Sequence, residues 1–225
     1  MNSLEAELEL ARELDVAEIA DVVESIGFAC TRCGACCTAE ETDEGREPHT
    51  ATVFPDEIRR LQGATGNGWR DVARPMPYGL DADGTGETFE WALSVDGCGD
   101  CSFYTEEGGV GACTVHDDRP LVCRTYPFSI GALSGEGAPG RSEPAGGVVR
   151  EEGPVRAHEC AGLGRDISRT EAEELAEALR ERAIREIAEA IDVRDTYRPV
   201  DAGGIVVHDS EGQKRPDGEP LEDGR

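Results

Sequence analysis

The sequence predicts a small, irregular α+β domain, with a helix at each end and short strands between. Three observations predict it. Apolar residues recur at three- and four-residue steps near both ends of the chain. Turn-rich stretches between those ends leave room only for short elements. Nine cysteines, most of them clustered, occupy the loop-rich middle. At 225 residues and 24.1 kDa, the chain suits one domain with extensions.

The elements follow in order. Residues 3–25 read as one helix, with Leu4, Leu8, Leu14, Ile19, Val22, Val23 and Ile26 on its stripe, Ser3 at its start and Gly27 at its stop. Residues 38–50 read as an acidic loop. Pro55 opens a short helix, with Asp56 and Glu57 in its first turn and Ile58 and Leu61 facing inward. Another short helix runs from Trp69 to Ala73 and stops near Pro75. Asp81–Glu87 begins like a calcium loop, but its twelfth position is Ala92, so a polar turn is the better reading. Thr88–Val95 reads as a strand with Phe89, Trp91 and Leu93 on one face. Residues 134–147 read as a flexible loop and Val148-Val149 as a short strand. Ser168–Asp192 is the clearest helix. Ser168 and Glu171 fit a capping box, and Leu175, Leu179, Ile184, Ile187 and Ile191 form a stripe. Ile205–Val207 reads as a last short strand. The divisions are an N-terminal helix (1–27), a cysteine-rich domain (28–164), a C-terminal helix and strand packing on it (165–209), and a disordered tail (210–225).

Composition sets the constraints. Leu, Ile, Val and Phe number 43 of 225, or 19%, and the net charge is −26. Those values alone flag disorder, so something besides a large apolar core must organise the chain. The charge excludes the basic face that binds nucleic acid and disfavours an anionic membrane surface. No apolar run is long enough for a transmembrane helix. The first residues lack the basic and apolar regions of a secretory signal, so a cytoplasmic location is expected. Of 22 basic residues, 21 are Arg and only Lys214 is Lys. Acid excess, Lys depletion and few large apolar residues together resemble proteins from halophiles with a salty cytoplasm. There, screening shortens the reach of repulsion to about 3 Å at molar salt.

In a reducing compartment, clustered cysteines point to metal or redox chemistry. The densest segment is Cys30-Thr31-Arg32-Cys33-Gly34-Ala35-Cys36-Cys37. Two-residue spacers let the backbone curl until successive thiolates converge, the logic shared by zinc knuckles and ferredoxins. Adjacent Cys36 and Cys37 diverge, so one of them suits a second centre. Cys98, Cys101, Cys113 and Cys123 form a second group, and Cys160 stands apart ahead of Gly162 and Gly164. A thioredoxin-like dithiol at Cys33–Cys36 fits less well, because a helix precedes the motif and two further cysteines crowd it. His116 and His158 lie near cysteines but read as polar structural residues.

The run CTRCGACC resembles the signature of the YkgJ-type CxxCxxCC cysteine-cluster family, described as zinc- or iron-chelating. That family has a downstream block matched here by Cys101, Phe103, Cys113, Val115, His116, Arg119, Pro120, Cys123, Arg124, Tyr126, Pro127 and Phe128. The resemblance spans roughly residues 28–164 and ends at Cys160-Ala161-Gly162-Leu163-Gly164. His116 stands where Tyr is common, and Cys98 is additional to the pattern. The resemblance implies a metal-organised fold with eight ligands: Cys30, Cys33, Cys36, Cys37, Cys101, Cys113, Cys123 and Cys160. The family's relatives include a flagellin lysine methylase, which supplies an enzymatic alternative.

Eight thiolates make two four-ligand sites, or one cluster with spare thiols. Repeated two-residue spacing favours an iron–sulfur cluster over zinc. Four thiolates leave about −2 on either site, and Arg32, Arg119 and Arg124 are near enough in sequence to offset it. The sequence carries no G-x-S-x-G, P-loop, G-x-G-x-x-G after a strand, or H-E-x-x-H. The expectation is a metal-binding protein, with a redox or accessory role. The alternatives are a zinc-stabilised interaction module and a cluster-dependent protein-modifying enzyme.

Overall fold

A computed structural model describes residues 3–42, 45–81, 83–133, 146–200 and 203–221. Among these, mixed α+β structure is built from six helices and thirteen short strands. The helices are α1 (Leu4–Arg12), α2 (Val16–Ile26), α3 (Pro55–Thr65), α4 (Trp69–Val72), α5 (Leu121–Thr125) and α6 (Arg169–Thr196). The chain divides into two compact units. Unit 1 comprises Met1–Cys36, Glu106–Ala112 and Leu121–Ala188; unit 2 comprises Cys37–Thr105, Cys113–Pro120 and Glu189–Arg225.

In unit 1, the expected single N-terminal helix is two. Asp15 adopts an extended conformation and accepts from the N–H groups of Ala17 (2.7 Å) and Glu18 (3.3 Å), so it caps a second helix. The cap wins because Glu13-Leu14-Asp15 offers a local carboxylate where helix continuation would leave Asp at an interior position. α2 lies against strand Val155–His158. That strand is central in an antiparallel sheet between Val148–Glu152 and Phe128–Ile130. Phe28 meets Phe128 edge-to-face, with ring centroids 5.9 Å apart.

α6 starts as its capping box requires. Ser168 N–H donates to Glu171 Oε2 (3.0 Å), and Glu171 N–H donates to Ser168 Oγ (3.3 Å). Its buried face differs from the expected stripe. Ala172, Ala176, Leu179, Ala183 and Ile187 are buried, while Leu175, Ile184 and Ile191 are only partly so. Small residues on that face permit close packing, and a charge pair lies among them. Arg182 Nε donates to Glu186 Oε1 (2.7 Å), and Arg182 Nη1 donates to Thr125 Oγ1 (3.1 Å) on α5. Removing either charge would strand the other out of water, which costs more than the pair contributes.

In unit 2, Pro55 opens α3 as expected, and Phe54 N–H donates to Glu57 Oε2 (3.2 Å). Strand Trp91–Leu93 is central between Thr52–Val53 and Ala73–Pro75, antiparallel to both. All three of its residues are buried while Phe89 is 46% exposed, so the expected alternation from Phe89 gives way to a strand covered on both faces. Asp81 and residues 83–85 form a turn, with Asp81 N–H bonded to Thr85 O (2.7 Å) and Thr85 N–H to Asp83 Oδ1 (3.1 Å). Ile205–Asp209 pairs parallel to Gly86–Thr88 and antiparallel to Gly212–Lys214.

The expectation of disorder from residue 210 does not hold as far as residue 221. Lys214 is 5% exposed, and its ammonium donates to Asp209 Oδ2 (2.8 Å) and Glu211 Oε2 (2.7 Å). Asp209 Oδ2 also accepts from Trp91 Nε1 (2.8 Å). A polar tail composition concealed this, because the polar groups satisfy one another inside the unit. The residues expected to form a flexible loop at 134–147 lie mostly outside the described residues, as do 222–225.

Candidate metal centre

All nine cysteines are thiols rather than disulfide halves. Cys30, Cys33, Cys36, Cys123 and Cys160 belong to unit 1; Cys37, Cys98, Cys101 and Cys113 belong to unit 2. The sequence neighbours Cys36 and Cys37 thus fall in different units.

In unit 1, the Cys30–Cys36 loop turns on two left-handed residues, Arg32 (φ 58°) and Gly34 (φ 79°). Gly takes this conformation without steric cost, whereas Arg does so only under local compulsion. Here the turn aims the Arg32 N–H at Cys30 Sγ (3.4 Å), while the Arg32 carbonyl accepts from Gly111 N–H (2.8 Å). Distant Cys160 is brought to this loop by backbone pairing. Ala29 N–H donates to Gly162 O (3.0 Å), Gly164 N–H donates to Gly27 O (3.0 Å), and Phe28 bridges to Leu163. Gly162 N–H donates to Cys160 Sγ (3.4 Å), repeating the N–H···S geometry of Cys30. A Cβ at Gly162 would stand 2.5 Å from Ala29 O. Gly162→Ala is therefore expected to cost about 1–3 kcal/mol, lowering Tm by several degrees. A thermal melt matching the wild type would contradict this close approach.

The electrostatics report the same convergence. Burial pushes the Cys160 thiol up, its Gly162 hydrogen bond opposes this, and Cys36, Cys33 and Cys30 each raise it further. Tyr126 is also raised, first by burial and then by Cys160, Cys36 and Cys33, so its phenol stands beside the same thiols. Its hydroxyl donates to the Glu159 carbonyl. The neighbouring thiols thus disfavour the Cys160 thiolate, and a bound cation would favour it. The donor set therefore fits a thiophilic metal centre, and its N–H···S bonds are of the kind that tune metal-bound sulfur. Among the described residues, no three His, Cys, Asp or Glu side chains close around a single ion in this conformation.

The remaining expected residues are dispersed. Cys123 is on α5, the helix that Arg182 anchors through Thr125. Arg124 is exposed in its last turn. Arg119, in unit 2, turns its Nε to the His116 carbonyl (3.1 Å). For Arg32 it is the backbone that serves the loop. His158 is buried with both ring nitrogens engaged, Nε2 with Ser129 Oγ (2.9 Å) and Nδ1 with Gly146 O (3.2 Å). His116 is exposed beside Asp117 (3.3 Å).

In unit 2, Cys101 N–H donates to Cys37 O (2.8 Å). Cys113 follows the turn back toward Phe103, whose carbonyl accepts from Thr114 N–H (2.9 Å). Asp96 Oδ1 accepts from Cys98 N–H (2.8 Å) and Asp100 N–H (3.0 Å), and Gly99 is left-handed (φ 85°). Asp100 Oδ1 accepts from Ala39 N–H (2.8 Å) and Arg46 Nη2 (2.9 Å), which hold its carboxyl below the usual range. His49 is 8% exposed, and its N–H donates to Gly99 O (2.8 Å). Burial, then Arg74, lowers its imidazole to about 4, so the ring is neutral at neutral pH. Sequence reading missed Tyr126 and His49 as site neighbours. Tyr126 was signalled by its place in the downstream block, while His49 lies in a stretch that composition marks only as loop.

A partly buried Cys160 that accepts a backbone N–H, brought to the Cys30–Cys36 run, agrees with one class: a cysteine-rich metal-chelating domain. The chain belongs to the CxxCxxCC family, described as a "putative zinc- or iron-chelating domain", whose model matches residues 29–161, more than half of the chain. Comparison with curated proteins and with solved structures gave no match. No helix among the described residues is long and apolar enough to cross a membrane.

Proposed function

We propose that Cys30, Cys33, Cys36 and Cys160 hold an iron–sulfur cluster, and that the protein serves a redox or accessory role through it. The observation that carries this reading is the pairing of residues 27–29 with 162–164, which joins a remote fourth cysteine to a C-x2-C-x2-C run. Three ligands from a compact run plus one from elsewhere is the arrangement by which ferredoxin-type sequences bind a cubane. Such a cluster supplies one-electron chemistry when bound. This chain's residues supply the N–H donors of Arg32 and Gly162, the phenol of Tyr126 beside the thiols, and a partly buried Cys160. Arg32 and Arg124 offer positive charge in the same unit against the cluster's net −2. Cys37, Cys101, Cys113 and Cys123 complete the eight metal-ligating thiols.

The second reading is a zinc-stabilised interaction module, since all-cysteine zinc sites use the same two-residue spacing. Anaerobic purification separates the two. The iron–sulfur form is brown, absorbs in the visible, and contains iron with acid-labile sulfide. A colourless protein with stoichiometric zinc and neither iron nor sulfide would overturn the cluster.

A further inference from the structure

Beside the unit 1 thiols stands a phenol, that of Tyr126, on which Cys160, Cys36 and Cys33 each act. Tyr126 follows α5 directly, and Arg182 on α6 ties the end of that helix down through Thr125 Oγ1 (3.1 Å). The Tyr126 hydroxyl donates to the Glu159 carbonyl. Glu159 is the residue before Cys160, so its carbonyl shares one planar peptide with the Cys160 nitrogen. The preceding peptide is held by backbone bonding, Glu159 N–H to Gly147 O (2.9 Å), and His158 N–H reaches Pro127 O (2.9 Å). The peptide after Cys160 is held through its carbonyl, which accepts from Leu163 N–H (3.2 Å). The Glu159–Cys160 peptide takes its hydrogen bond from a side chain instead. With the peptide planes on both sides of Cys160 fixed, the direction of its Cα–Cβ bond is fixed as well.

We infer that Tyr126 is the positioning residue for Cys160: its hydroxyl holds the peptide that aims this sulfur at the Cys30–Cys36 run. The inference rests on the reading of Cys160 as a metal ligand, whichever metal it holds. Groups that orient a ligand without touching the metal change metal affinity by about 10–100-fold when removed, because the ligand is then no longer pre-set for the ion. Tyr126→Phe removes only the hydroxyl and keeps the ring. The bond is solvent-exposed, so water can take the place of the hydroxyl at the Glu159 carbonyl. The fold therefore survives the substitution, while the direction of the Cys160 sulfur is released.

The test compares the full-length protein, purified anaerobically with its metal, with Tyr126→Phe, Glu159→Ala and Cys160→Ser. Metal release is followed with a chromophoric chelator that reads iron or zinc. Sulfur-to-metal absorption is recorded for iron as isolated, or for Co2+ where the isolated metal is zinc. Tyr126→Phe is expected to release metal about tenfold faster or more, with a shifted absorption and a Tm within about 4 °C of wild type. Glu159→Ala should release metal at the wild-type rate, because Tyr126 bonds the backbone carbonyl and not the carboxylate. Cys160→Ser should lose bound metal. Wild-type release and absorption in Tyr126→Phe, with metal lost from Cys160→Ser, overturn the inference and leave the ligand reading standing. Full metal content in Cys160→Ser overturns the ligand reading and this inference with it. Faster release with unshifted absorption and a large fall in Tm makes Tyr126 a residue of the fold alone, and also overturns the assignment.

Discussion

Cys33→Ser is expected to leave unit 1 without its metal and unable to hold its fold. The reason is the size of the terms. Structural zinc–thiolate sites, the nearest measure of such a centre, contribute on the order of 10–16 kcal/mol to folding, whereas a whole domain is stable by about 5–15 kcal/mol. The large apolar residues are only 19% of the chain, so little else can compensate. Cys33 is exposed, so serine creates no cavity, and any loss comes from the ligand itself. Without that ligand, the Cys30–Cys36 loop has no reason to keep Arg32 left-handed, and the Cys160 segment has fewer reasons to remain paired with it. A loss above about 5 kcal/mol lowers Tm by roughly 10–20 °C for a chain of this size. Iron and sulfide content together with a thermal melt check this. A variant that keeps full metal content and the wild-type Tm refutes the assignment of Cys33.

Transfer from 3 M to about 20 mM KCl is expected to have the second largest effect. The chain carries 48 acidic against 22 basic groups, a net charge of −26. At molar salt, charges farther apart than about 3 Å scarcely interact; at a few tens of millimolar the reach is roughly 20 Å. Repulsion then extends over the whole surface and opposes the compact state. Surface pairs act in the other sense. Arg169, for example, bonds Asp21 and Glu173 and lies 3.4 Å from Glu24. Such exposed pairs contribute only about 0–1 kcal/mol each, and too few basic residues exist to pair the acids. Repulsion should win, lowering Tm by about 10 °C or more at low salt. Melts measured across a KCl series decide it, and equal stability at both ends would remove the halophile reading.

Much of the molecule was legible from local pattern. The capping box of α6, the proline start of α3, the polar turn at 81 and 83–85 and the cysteine-cluster family are all written in short spacings. Such features depend on neighbours a few residues apart, which a sequence displays directly. The less legible features were those in which a polar group does the work of an apolar one. Asp15 split the N-terminal helix, and the α6 face buried Arg182 with Glu186 in place of part of its isoleucine stripe. Lys214 drew a tail expected to be disordered into a strand.

The sequence by itself determined that this is a cysteine-cluster protein. Only the tertiary structure decided how the nine cysteines divide between the two units. Backbone bonds between residues 27–29 and 162–164 join Cys160 to the first run, and backbone bonds carry no side-chain signature to read. The separation of Cys36 from Cys37 has the same origin: identical side chains, adjacent in sequence, assigned to different units by the course of the chain on either side.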